Sequence, residues 1–527
     1  MIQLHLKRAL ATLAAATIIA GAPAPSLAGP NKGGDPASKF DTKTPIKHVV
    51  VIFQENVSFD HYFATYPYAA NPKGQPAFKA LKDTPRVNNL LSSGLLDENP
   101  NSTQPFRLDP SQAVTCDQDH DYADEQKAFH NGLMDRFPEE VGTGGPGCND
   151  WGKGPGVVMG YFDGNTVTAL WNYAQHFAMS DNSYGTTFGP STPGALNLIA
   201  GTTAGGQLVS GNPAGNIANG SNSGAIIGDP RPAGDDCNPL KKTYVSITGN
   251  NVGVLLNAKN ITWGWFQGGF GRTSVDGTGT ATCAATSTGL AGTTGDYIAH
   301  HEPFQYFVQT QNLHHLPASD PALIGKTDQA NHQYDLADFW TAVNEGRMPA
   351  VSFLKAKGAF DGHAGYSDPL DEQTFLVQTI NALQQTPEWK DTAVIIAYDD
   401  SDGWYDHQMD PIINQSDVTD DNLTGPGACG TTPSGATPGR CGYGPRLPLL
   451  VISPYARHNY VDHQLTDQSS ILRFIEDNWG LGRVGGDSND VKAGTLDGFF
   501  DFNGSKVRKL LLDPATGVVL SKKDCDE

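Results

Sequence analysis

Three shortages narrow the reading before any motif is considered. Beyond residue 22 the chain has no apolar run long enough to span a bilayer, which excludes a stable membrane anchor after that point. Cations are scarce: 35 Lys and Arg stand against 56 Asp and Glu, a formal net charge of −21. That field opposes general binding to nucleic acid or to an anionic membrane, and a phosphorylated substrate would need a local cationic device. The seven cysteines lack the spacing of a zinc site, and no repeat period is visible. Asp400-Ser401-Asp402-Gly403 lacks the later ligands and the closing Glu of an EF-hand loop.

The N-terminus carries Lys7 and Arg8, an apolar run over residues 9–22, and the small-residue site Ser26-Leu27-Ala28. This is the pattern of a secretory signal peptide over residues 1–28, so the mature protein is expected to be exported, periplasmic or secreted. Losing that peptide takes the net charge from −21 to −23. Export favours disulfides over thiol chemistry. Cys429 and Cys441 bracket a Gly/Pro/Thr loop and form the first expected pair. Cys116–Cys148 and Cys237–Cys283 are further candidates, with Cys525 left over.

Residues 29–484 read as a single catalytic domain, with polar Gly/Ser/Thr-rich surface insertions at about 204–247 and 271–295 and an extension over 485–527. Within it, apolar runs of strand length alternate with amphipathic helical patterns. That predicts an α/β/α sandwich around a mainly parallel sheet.

Several of these strands end in chemistry. HVVVIF (residues 48–53) delivers Glu55 and Asn56, followed by Phe59, Tyr62, Phe63 and Tyr66 to anchor the loop. VSFL (351–354) leads toward Gly362-His363. VIIA (394–397) runs into Asp399 and Asp400. Adjacent carboxylates repel unless a cation or a shared proton lies between them. Each stretch has a harmless local explanation, such as a cap or a solvated turn, but their joint placement at strand ends does not, because open α/β sheets bind ligands there.

Residues 117–137 open with acids and space Phe129, Leu133 and Phe137 as one helical face, with His120 just ahead. In FGPSTPGALNLIA (188–200), Thr192 is a plausible N-cap and Pro193 a first-turn residue. Ser191 then lies just ahead of a helix N-terminus, which favours anions. His300 and His301 are adjacent, so they cannot both point at one site. Together Glu55, Asn56, Asp399 and Asp400 can hold one divalent metal ion of undetermined identity, Ser191 supplies a nucleophile, and histidines supply proton transfer. Metal-assisted phosphoryl transfer through a covalent serine intermediate fits that set.

HVVVIFQENVSFDHYF, FGPSTPGALN, HHEPFQYF, Gly362-His363, AYDDSDGWYDH and LPLLVISPYAR closely resemble the bacterial phosphoesterase family. That family contains secreted acid phosphatases and phosphocholine-type phospholipases C on an alkaline-phosphatase-like core. The resemblance covers roughly residues 47–203 and 252–482. It implies Glu55, Asp399 and Asp400 as metal ligands, Asn56 as a phosphoryl contact and Ser191 as nucleophile. His120, His301 and His363 match active-site histidines, and His300 a further substrate-side position. Serine in GPSTPG resembles the acid-phosphatase branch, whose substrates are small phosphorylated molecules. The phospholipases, the alternative reading, typically carry threonine there. Val57 replaces the Arg usual in the family's ENRSFDH run.

Overall fold

Two seven-residue strands make the centre of the sheet, and every residue in both is buried: β1 (His48–Gln54) and β6 (Thr392–Tyr398). Successive side chains of a strand point to opposite faces, so complete burial means that both faces are covered. Each enclosed Val or Ile contributes roughly 1.5–3 kcal/mol of transfer free energy. The remaining strands of the sheet are β2 (Ala178–Ser180), β3 (Trp263–Gln267), β4 (Gln333–Asp335), β5 (Val351–Lys355), β7 (Leu449–Ile452) and β8 (Tyr460–Asp462). Their order across the sheet is β4-β3-β5-β1-β6-β7-β2-β8. Only β7 is reversed, pairing antiparallel with β6 and β2; the other pairs are parallel. This is the expected α/β/α sandwich around a mainly parallel sheet.

The computed structural model describes residues 35–142, 154–239, 241–409, 411–425, 427–431, 437–504 and 508–520. The expected signal peptide, Cys525 and the expected pairing of Cys116 with Cys148 lie outside the described residues. Cys237–Cys283 and Cys429–Cys441 are both bonded, with Cα separations of 5.5 and 5.6 Å.

Six helices among the described residues have eight residues or more: α1 (Tyr122–Phe129), α2 (Thr168–His176), α3 (Ser191–Ala200), α4 (Leu336–Asn344), α5 (Pro369–Gln384) and α6 (Gln468–Trp479). α1 is shorter than the 117–137 pattern suggests. It ends where His130 and Asn131 turn left-handed, which puts Leu133 on the surface at 60% exposure instead of on a buried face. α3 packs against α6, on which Ile471, Leu472, Ile475 and Trp479 are buried as their spacing predicts. Residues 204–247 carry a small four-stranded sheet built from Gly206–Ser210, Ser223–Gly224, Arg231–Pro232 and Tyr244–Ile247. None of the helices among the described residues is long and apolar enough to cross a membrane.

Candidate active site

Register decides what meets at the sheet edge. Gln54 of β1 lies opposite Tyr398 of β6, so Glu55-Asn56 and Asp399-Asp400 leave the sheet side by side. The backbone N–H groups of Asn56 and Asp400 both donate to Asp399 Oδ1, at 3.1 and 2.8 Å. Asn56 holds a left-handed backbone (φ 57°), which turns the chain out of the strand. β5 ends level with them on the other side of β1, and its last residue, Lys355, is 1% exposed. Its ammonium contacts Glu55 Oε1, lies 3.8 Å from Asp399 Oδ2 and sits over the Phe53 ring.

α3 is laid directly on this edge. A Cβ on Gly194 would fall 2.1 Å from the Asp399 carbonyl oxygen, so the approach requires glycine. Ser191 is itself the first residue of α3, not a residue ahead of it, and Thr192 does not cap the helix; Pro190 occupies the cap position without a side-chain bond. The capping acceptor comes instead from residues 204–247: Asp229 Oδ1 accepts the Thr192 N–H at 2.9 Å. Ser191 Oγ lies 3.1 Å from Glu55 Oε2 and 3.2 Å from Asp400 Oδ2, and the residue is 1% exposed.

The histidines surround this cluster. His301 Nδ1 is 3.2 Å from Glu55 Oε1 and 4.0 Å from Asp361 Oδ2, while its buried Nε2 has no hydrogen-bond partner among the described residues. His300 turns the other way, its Nε2 3.7 Å from Asp229 Oδ2, as adjacency on one short turn demands. His120 places Nδ1 3.3 Å from Asp402 Oδ1 and Nε2 3.3 Å from the Asn56 amide nitrogen. His363 meets the His120 ring edge-on at 6.0 Å and donates from Nδ1 to the Ala364 carbonyl. Eight of the nine residues singled out from the sequence therefore gather at one edge of the sheet, while His300 faces Asp229 beside it.

Among protein groups alone the charges do not balance. Burial pushes the Glu55 carboxyl up to about 7 against the pull of Lys355. Asp400 rises to about 8 through burial and the neighbouring Asp399, and Asp399 is raised well above the carboxylate range by burial and Glu55. Asp361 is pushed by burial to about 8. Burial disfavours charge on His120, but Asp400, Asp402 and Asp117 outweigh it and hold its pKa well above the ordinary value. His301 moves the opposite way, lowered well below by burial and by Lys355. A buried all-oxygen set with this surplus of negative charge suits a hard or borderline divalent cation. The orphaned Oδ1 of Asn56 adds one more oxygen beside it. Glu55 with His301 and Asp361, and His120 with His363 and Asp402, bring donor atoms close enough together to hold an ion, and Asp399 lies against Glu55.

Four neighbours in the site were not named as its residues from the sequence: Asp229, Lys355, Asp361 and Asp402. Lys355 had a signal, since an apolar strand ending in a charge is the same signature that marks Asp399. Asp361 and Asp402 are near neighbours of His363 and Asp400. Asp229 had none, because it lies in a polar stretch that resembles a surface loop.

Comparison with known proteins places these observations. The model of the Phosphoesterase family matches residues 46–482. Non-hemolytic phospholipase C of Pseudomonas aeruginosa is 25% identical over 448 residues, 83% of this chain and 54% of that protein. Phospholipase C A of Mycobacterium tuberculosis is 24% identical over 454 residues, 83% of this chain and 74% of that protein. The chain thus spans about half the length of the Pseudomonas relative. A solved protein in the alkaline phosphatase superfamily from Vibrio parahaemolyticus is 12% identical, with a TM-score of 0.27 over 75% of this chain and 78% of that one, too low to bear on function. The match to the family model spans all eight strands of the central sheet and every residue of the site described above, and on that ground the chain is a member of the Phosphoesterase family.

Proposed function

We propose that this chain is an exported, metal-dependent phosphoric monoester hydrolase of acid-phosphatase type, working through a phosphoserine at Ser191. The observation that carries the reading is the Ser191 hydroxyl, set between Glu55 Oε2 and Asp400 Oδ2 at the start of α3. A divalent ion at Glu55, Asp399 and Asp400 would supply the positive charge that acidifies this hydroxyl and attracts phosphoryl oxygens. Ser191 Oγ attacks phosphorus in line, forming the Oγ–P bond as the bond to the leaving oxygen breaks, and its proton passes to one of its two carboxylate acceptors. His120, held in its charged form by Asp400, Asp402 and Asp117, is the group suited to protonate the leaving oxygen. His301, kept neutral and with no partner for Nε2 among the described residues, is suited to take a proton from the water that later cleaves the phosphoserine. Asn56 and His300 contact the phosphoryl group and the substrate side of the site. Two disulfides agree with an oxidising compartment.

A second reading has its own support: the relatives named above are phospholipases C, which cleave phosphodiesters. The test is steady-state hydrolysis of an aryl phosphate monoester between about pH 4 and pH 9, with phosphatidylcholine in parallel. Monoester turnover with an acidic optimum supports the phosphatase. Diacylglycerol release at a comparable or higher rate transfers the protein to the phospholipase reading.

A further inference from the structure

Helix α1 carries a buried carboxylate that the reaction above does not use. Glu125, in the first turn, is 1% exposed, yet it touches both catalytic loops. Its Oε2 accepts the backbone N–H of Gly189 at 3.0 Å, two residues before Ser191. Its Oε1 accepts the Ser401 hydroxyl at 2.7 Å, directly after Asp400. Ser401 Oγ in turn accepts the Gly403 N–H at 3.1 Å, closing the turn that follows the two aspartates. We propose that Glu125 is a positioning residue that fixes the distance between the nucleophile loop and the metal-ligand loop.

Three observations support a spacer in preference to an incidental buried acid. α1 is itself firmly held. Tyr122 donates its hydroxyl to Asp421 at 2.6 Å and accepts the Cys441 N–H, and Gln126 Oε1 accepts the N–H groups of Asn422 and Leu423, each at 2.9 Å. Gly189 is held at φ 114°, where a Cβ would meet the Ile227 carbonyl at 3.1 Å and Pro193 at 3.2 Å, so the position that presents this N–H favours glycine and is closely packed. Finally, the segments that Glu125 joins are remote in sequence, 64 and 276 residues away, and no direct hydrogen bond between Gly189 and Ser401 substitutes for it among the described contacts. A side chain that spans two loops from a rigid helix keeps reacting atoms at attack distance, where a displacement of about 1 Å can cost on the order of 100-fold in rate.

The inference rests on the phosphoester reading for its kinetic arm but not for its structural one. Glu125→Ala, Ser401→Ala, the double variant and Glu125→Gln are compared with the full-length wild type. Aryl phosphate kinetics are measured together with hydrogen–deuterium exchange over residues 186–196 and 399–404. Glu125→Ala is expected to lower kcat about 10–100-fold with KM within about threefold. Amide exchange should rise in both segments. Ser401→Ala, which removes one arm and leaves little void, should lower kcat less and add almost nothing to Glu125→Ala. Glutamine can accept from Gly189 and donate to Ser401, so Glu125→Gln should recover most of the loss. A kcat within twofold of wild type in Glu125→Ala, additive losses in the double variant, or faster exchange confined to α1 would each overturn the proposal. Wild type inactive on every phosphoester would instead remove the functional reading, and the exchange arm alone would then decide the bridge.

Discussion

Two clusters of buried acids follow β1 and β6 in the chain, and their charges are balanced to different degrees. In the first, Glu55, Asp399 and Asp400 share one lysine, Lys355, and their carboxyls are driven upward by burial. In the second, Asp60 and Asp406 enclose Arg446, whose Nε lies 3.1 Å from Asp406 Oδ2 and whose Nη2 lies 3.4 Å from Asp60 Oδ2. Arg446 also donates to the carbonyls of Asn88 and Asp181, stacks on Phe59 and has 0% exposure. Burial opposes ionisation of both acids; at Asp60, His407 and Arg446 outweigh it and lower the pKa, whereas Asp406 stays raised by burial in spite of Arg446. Asp60, Asp406 and His407 are close enough together to bind a metal, but an internal guanidinium already lies among them. Both clusters are written in the same two motifs, ENVSFDH and DDSDGWYDH. What separates the clasp from the proposed catalytic cluster is the share of counter-charge: Arg446 and His407 meet two carboxylates, whereas Lys355 alone faces three.

The sharpest way to break this comparison is to neutralise the unbalanced cluster. Asp400→Asn should lower kcat at least ~1000-fold while leaving the metal-free protein as stable as wild type or more so, because it removes a buried like charge. Thermal unfolding in the presence of a chelator checks the second half. A large loss of stability would mean that this cluster, too, is a structural clasp. The opposite change, Arg446→Met, leaves two buried carboxylates without their partner and should cost about 3–5 kcal/mol. Chemical denaturation measures it, and a change below about 1 kcal/mol would remove the distinction.

A smaller effect concerns protons. His61, beside Asp60, donates from Nδ1 to the Gly160 carbonyl and stacks on Trp404 at 3.9 Å; burial lowers its pKa to about 3. The folded protein keeps this ring neutral, whereas the unfolded chain protonates it near 6.5. Its contribution is therefore complete above that value and is lost as pH falls toward about 3, amounting to roughly 2 kcal/mol at pH 5. His61→Phe should flatten the acid limb of a stability–pH profile. An unchanged slope between about pH 7 and pH 4 would contradict it. The smallest expected change is Asp229→Asn, which keeps a capping oxygen but removes the charge facing His300. A loss of about two- to fivefold in kcat is expected, with Asp229→Ala losing more because the Thr192 N–H is then uncapped.

The placement of the carboxylate cluster was legible because parallel strands announce themselves as apolar runs and their last residues fall at one edge. Glu55, Asn56, Asp399 and Asp400 could be grouped as strand ends, whereas the individual histidines were joined to them only through the family motifs. The clasp was not legible. Asp60, Asp406 and His407 are visible as motif letters, but nothing in the sequence says that Arg446, at the entrance to the reversed strand β7, returns to lie between them. The same holds for Asp229 and Glu125, whose roles depend on how a polar excursion and a short helix fold back over α3. α1 also showed the limit of periodicity, since the left-handed turn at His130 and Asn131 stopped a pattern that the apolar spacing would have continued.

The most direct test of the account is acid quenching during aryl phosphate turnover, followed by mass spectrometry of the peptide that contains Ser191. The account predicts a phosphoryl group on Ser191 in the wild type and in no other peptide, with both the adduct and turnover lost in Ser191→Ala. Turnover that persists in Ser191→Ala, with no phosphorylated peptide in either protein, would contradict it.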